Sequence, residues 1–178
     1  MKVLLSFIFL IQLNLSFGQN ISSIDELGIK LVDYLKNVEK NRINPLIISK
    51  DNAIKYVPAK DLSEGERISL KKNISETYEE KFRETIIYNY QQIIKKGTTE
   101  YGIDWKDVSL VKVLYVSKLD QHIENANVQL FILYIDKIYS ICFTAAKIAD
   151  SWGLSPQIKM LDLFEGEIKK INLPDCTF

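Results

Sequence analysis

The sequence predicts an α+β domain in which N-terminal helices pack on one face of a four-stranded antiparallel meander. Three observations lead there. Four runs rich in Ile, Val, Leu, Tyr and Phe, namely VSLVKVLYVS, NVQLFILYID, KIYSICFTAAKI and QIKMLDLF, follow one another between Val108 and Phe164. No helix-length segment separates them, so neighbouring runs can pair only as antiparallel strands. Ahead of them, two stretches repeat apolar residues at helical spacing and supply a layer to cover the sheet.

The chain opens with Lys2, an uncharged VLLSFIFLIQL run and small residues at Ser16 and Gly18, ahead of Gln19. This is the pattern of a removable secretory signal. Its apolar run falls well short of the roughly 20 residues that cross a bilayer. We therefore expect a signal peptide at 1–18, a single α+β domain at 19–178, and export to the periplasm or beyond the cell, with no membrane span in the mature chain. Loss of Lys2 turns 23 basic and 23 acidic residues into 22 and 23. A chain so close to neutral, with no Lys/Arg cluster, offers no field for nucleic acid or anionic lipid.

Ser23, with Glu26 three residues on, has the form of a capping box. Ile24, Leu27, Leu31, Leu35 and Val38 then make one apolar stripe, so the first helix runs from about Ser23 to Asn41. Between Pro45 and Pro58, Ser49 caps a short turn over Lys50 to Tyr56, or LIIS forms an edge strand; the turn is the preferred reading. The strongest stripe follows: Leu70, Ile74, Tyr78, Phe82, Ile86 and Tyr90, joined by Ile93 and Ile94. It predicts one bent helix, or two nearly continuous ones, lying across the sheet, with Lys95, Lys96 and Gly97 at its C-terminal end. The aromatic members read as core packing rather than a ligand box.

After that helix comes Gly102-Ile103-Asp104-Trp105, then the strands. A long amphipathic helix, a G-I-D-W segment and four strands in this order resemble small exported proteins of Bacteroidetes-type bacteria with cystatin-like or nuclear-transport-factor-2-like α+β folds. The resemblance implies a curved antiparallel sheet wrapped on a helix. From the residues themselves, Trp105 plugs the end of the core, and Asp104 or Asp107 caps a turn.

Both faces of the strands are apolar. Val128, Leu130, Ile132 and Tyr134 point one way, and Phe131, Leu133 and Ile135 the other; Leu110 and Leu114 alternate with Val111, Val113 and Tyr115. Tyr139, Ile141 and Phe143 face the helices. Asp136 and Lys137 form the hairpin between strands two and three, and SWGLSP turns the chain into the fourth strand. One helical layer covers one face. The other lines a pocket, meets a second chain, or is covered by the tail and the 43–60 segment. Phe131, Leu133, Ile135, Leu110 and Leu114 are thus the candidate apolar binding face. Cys142 and Cys176 are the two cysteines. Export permits a bridge that pins the PDCTF tail on the sheet, and two separate thiols fit the sequence equally.

Several chemistries lack their carriers. The lone His122 sits in a polar link, and one His with two distant Cys cannot assemble a usual zinc set. No GxSxG, P-loop, GxGxxG or HExxH occurs, so no cofactor or catalytic residue is assigned. The first functional reading is an exported, non-catalytic module that binds a small apolar ligand or a protein partner, including a second copy through the sheet. The second is a small isomerase or dehydratase with a carboxylate and a tyrosine in a cone-shaped pocket, for which Tyr115, Tyr134, Tyr139 and Asp162 are candidates. Cystatin-like protease inhibition comes last, because the Gln-x-Val-x-Gly hairpin is absent.

Overall fold

Burial along the second apolar run decides the architecture. Ala126, Val128, Leu130 and Ile132 are buried in one hydrophobic cluster, whereas Gln129 and Phe131 between them are buried outside it. A repeat of two is that of a strand. The structure, a computed structural model, describes residues 20–38, 43–55, 57, 62–120, 123–148, 150–167, 170–171 and 174–176. The expected signal peptide and His122 lie outside the described residues. Strands β1 (Ser109–Asp120), β2 (Ile123–Tyr134), β3 (Lys137–Ile148) and β4 (Ser151–Phe164) form one antiparallel sheet in the order β1-β2-β3-β4. Helices precede it, as expected of the α+β class.

Helix α1 (Ile24–Asn37) starts at Ser23, whose side chain accepts the Glu26 N–H at 3.1 Å. Glu26 reaches back to the Ser22 main chain and hydroxyl rather than to Ser23, at 2.9 and 3.0 Å. Ile24, Leu27, Leu31 and Leu35 are buried, but Val38 ends the helix at φ 42 and is left exposed. Gly28 brings α1 onto the sheet: a Cβ there would lie 2.8 Å from a Leu130 methyl and 3.1 Å from one of Val113. Helix α2 (Lys50–Lys55) is the short turn capped by Ser49, which accepts from Asn52 N–H at 3.2 Å.

The long rod departs from expectation in its first half. Helix α3 (Glu64–Thr77) opens on a full Ser63/Glu66 capping box and buries nothing, so Leu70 and Ile74 do not lie on the sheet. The cause is the period. Apolar residues every four positions run ahead of a 3.6-residue turn by about 40° per step, so the stripe wanders round the rod. A π-helical stretch at Tyr78–Arg83, in which Glu84 N–H reaches back to Glu79 O, turns less per residue and takes part of that drift back. Burial begins there with Tyr78 and continues along α4 (Glu84–Glu100) with Ile86, Ile87, Tyr90, Ile93 and Gly97. Gly97 is therefore inside the helix. The chain leaves it at Gly102, at φ 64, a conformation glycine adopts without a side-chain clash.

G-I-D-W is a helix terminator followed by a core plug. Ile103 and Trp105 are 2% exposed, Asp104 accepts from Lys106 N–H at 3.1 Å, and the Trp105 indole N–H donates to Ile94 O at 3.2 Å. Trp152 is buried too, within β4. SWGLSP is thus strand rather than turn. The reversal sits one step earlier, where Asp150 has φ 62 and Ile148 pairs with Ser151. Pro156 fits because β4 is an edge strand with shifted register at this point.

Candidate functional site

Directly opposed residues on antiparallel strands share a face, so register places each expected site residue. Ile132, Leu130 and Val128 face the helices, and their partners are Leu110, Val113 and Tyr115. Phe131 and Gln129 face away, opposite Lys112 and Leu114. A bulge between Leu110 and Lys112 breaks the alternation. The extra residue, Val111, flips the strand locally, so Leu110 packs on the helix-side core while Leu114 stays on the other face. Leu110 is thereby removed from the expected apolar face. Ile135 is removed as well: Tyr134 pairs with Lys137, so the two-residue turn is Ile135-Asp136, with Ile135 at φ 57 and 79% exposed.

The remaining three residues lie on the second face but do not form an open surface. Phe131 is fully buried, and Leu114 and Leu133 are half-buried. Their cover is the chain's own C-terminus. The ring of Phe164, at the end of β4, meets Phe131 edge-on with centroids 5.0 Å apart. Farther along, Ile171 O accepts from Lys112 Nζ at 2.7 Å, and Asp175 N–H donates to Gln129 Oε1 at 2.9 Å. A disulfide joins Cys176 to Cys142, with Cα atoms 5.8 Å apart. The tail therefore meets β1, then β2, then β3. At the β3–β4 end, Ile48 clusters with Ala146 and Ile148, and a Cβ on Gly153 would come within 2.6 Å of Ile48 Cγ1.

Part of β1 is left uncovered. It is an outer strand of the sheet, and Val111, Tyr115, Val116 and Leu119 on it are all more than 40% exposed. None of these four stood out in the sequence as a surface residue. The available signal was that β1 is apolar on both faces while lying at a sheet margin.

Of the candidate tyrosines, Tyr115 is exposed, and Tyr134 and Tyr139 pack on the helix-side core; two others hold main-chain carbonyls. Tyr78 OH donates to Ile48 O, and Tyr90 OH to Tyr34 O at 2.7 Å. Burial pushes the Tyr78 phenol up to about 12 and raises those of Tyr90 and Tyr139 as well. Asp162 is a surface partner of Lys96 at 2.9 Å. Burial alone would lower the Lys96 ammonium, but Asp162 and Tyr101 outweigh it and hold it above its ordinary value. Among the described residues no carboxylate is buried, no group of three His, Cys, Asp or Glu could hold a metal, and no helix is long and apolar enough to cross a membrane.

Comparison with known proteins adds one likeness. No protein-family model and no curated protein matches the chain. A solved structure of a cystatin-like protein from Ruminococcus gnavus is similar, with a TM-score of 0.44 and 13% identity, over 85% of this chain and 48% of that one. The chain thus spans about half the length of that protein's chain.

Proposed function

We propose that the protein is an exported, non-catalytic binding module that takes a protein partner along β1. One observation carries this reading: the margin strand of the sheet holds four exposed apolar side chains, while the middle of the second face is filled by the chain's own tail. A bare strand margin presents a row of main-chain N–H and C=O groups to an incoming extended segment, and flanking side chains add apolar contact. Export is supported by the 1–18 pattern and by the Cys142–Cys176 bridge.

The isomerase-like alternative needs a carboxylate and a tyrosine facing one apolar pocket. Of its candidates, Tyr115 and Asp162 are exposed, and Tyr134 and Tyr139 pack on the helix-side core, where no described carboxylate is buried.

Native mass spectrometry of the mature protein, wild type beside Val116→Lys, tests the proposal. A partner or second copy retained by the wild type and lost from the variant supports it. Equal retention by both, or a bare monomer in both, contradicts it.

A further inference from the structure

We infer that the chain after β4, described at 165–167, 170–171 and 174–176, is a redox-released strap: opening the Cys142–Cys176 disulfide frees it while the helices and sheet stay folded, uncovering the second face where Leu114, Gln129 and Cys142 lie in register. This goes beyond the β1 reading and does not rest on it.

Three observations carry it. First, the tail lies outside the main core. Among the described residues, the helix-side cluster includes nothing after Ile158 and neither Phe131 nor Cys142. Second, the described residues of the strap meet the sheet at isolated points, the disulfide, the Asp175 N–H on Gln129 and the Ile171 carbonyl on Lys112, and not through a strand pairing. Third, the bridge can be reached from outside. Cys142 is 9% exposed, but Cys176 is only partly buried, so a thiolate can approach the Cys176 sulfur from solvent.

The co-reactant is a dithiol. One of its thiolates attacks Cys176 Sγ, forming a mixed disulfide and releasing Cys142 as the thiolate, which takes a proton. The second thiol, once deprotonated, attacks the mixed disulfide and expels Cys176, which is protonated in turn. The dithiol ends as its own disulfide, and the protein's two sulfurs end as thiols, a balanced two-electron exchange. The tail then keeps its hydrogen bonds but loses its covalent tie, and local opening no longer requires the core to open.

The test treats the full mature chain with dithiothreitol under native conditions. Alkylation confirms reduction, tryptophan emission reports Trp105 and Trp152 in the core, and amide exchange follows Asp175. The expected result is unchanged tryptophan emission, a fall of at least about tenfold in Asp175 protection, a rise in emission of an added anilinonaphthalene dye, and reversal on reoxidation. Unoxidisable Cys176→Ser should match the reduced protein without any reductant. Loss of the tryptophan signal on reduction would make the bridge a staple of the whole fold and overturn the inference. Unchanged Asp175 protection in reduced protein and in Cys176→Ser would overturn it equally.

Discussion

Asp175 donates its main-chain N–H to the side chain of Gln129 at 2.9 Å, across 46 residues of chain. Gln129 is 5% exposed, and no other polar or charged residue among those described is buried. An amide facing out of an apolar strand is accounted for once the tail lies over it, because a buried acceptor without a donor is costly.

Gln129→Leu removes that acceptor and keeps the bulk. Opening of the tail at Asp175 should become easier by about 1 kcal/mol, read as faster exchange of the Asp175 amide, while the strand amides of β2 hold their protection. Unchanged exchange at Asp175 would show that the hydrogen bond does not hold the tail.

Gly28 and Gly65 should respond in opposite directions. A branched side chain at Gly28 runs into Leu130 and Val113, so Gly28→Val should lower stability by about 1–3 kcal/mol in denaturant titration. Nothing lies within 4 Å of a Cβ at Gly65. Gly65→Ala should therefore strengthen α3 by up to about 1 kcal/mol, visible as slower amide exchange there.

Alkali should unfold the protein through its buried phenols. The Tyr78 phenol ionises near 10 when unfolded and at about 12 in the fold. The folded state thus favours the protonated form, whose stabilising contribution is complete below pH 10 and declines between 10 and 12. Tyr90 is shifted in the same direction by its burial. Thermal melts across this range should show the decline, and Tyr78→Phe should flatten it while costing about 1 kcal/mol at neutral pH for the lost bond to Ile48 O.

Ile135 holds φ 57 at the first position of a two-residue turn while 79% exposed. A β-branched residue is strained in that region, and turns of this length favour glycine there. Ile135→Gly should raise the denaturation midpoint by an amount equal to about 1 kcal/mol. A lower midpoint would mean that the isoleucine side chain contributes packing that its exposure does not suggest.

The layers were legible in the sequence because short apolar runs such as NVQLFILY, separated by polar breaks too short for a helix, leave only antiparallel strands, and Ile24 to Leu35 has the spacing of a helix. Trp105 as a core plug and the Ser49 cap followed from local chemistry. Alternation alone puts Leu110 on the wrong face, because one bulged residue, Val111, reverses every alternation before it. It likewise keeps Ile135 in the strand, whereas a turn shifted by one residue moves it into the loop. Leu70 and Ile74 looked like sheet contacts because a four-residue repeat resembles a helical one over a short window and departs from it over a long one. The tail has no periodicity, so its place beside Gln129 was legible only in that glutamine within an apolar run and in one of the two readings open for Cys142 and Cys176.

Residue-resolved amide exchange of the dilute oxidised protein tests the central claim, that helices and tail occupy the two faces of the sheet and leave β1 open. The account predicts slow exchange throughout Val128–Ile132, a protected Asp175 amide, and protected and unprotected amides alternating along Val113–Leu119, where one side of the strand faces solvent. Uniform protection along β1 in the monomer, or an Asp175 amide exchanging as fast as free chain, would contradict it.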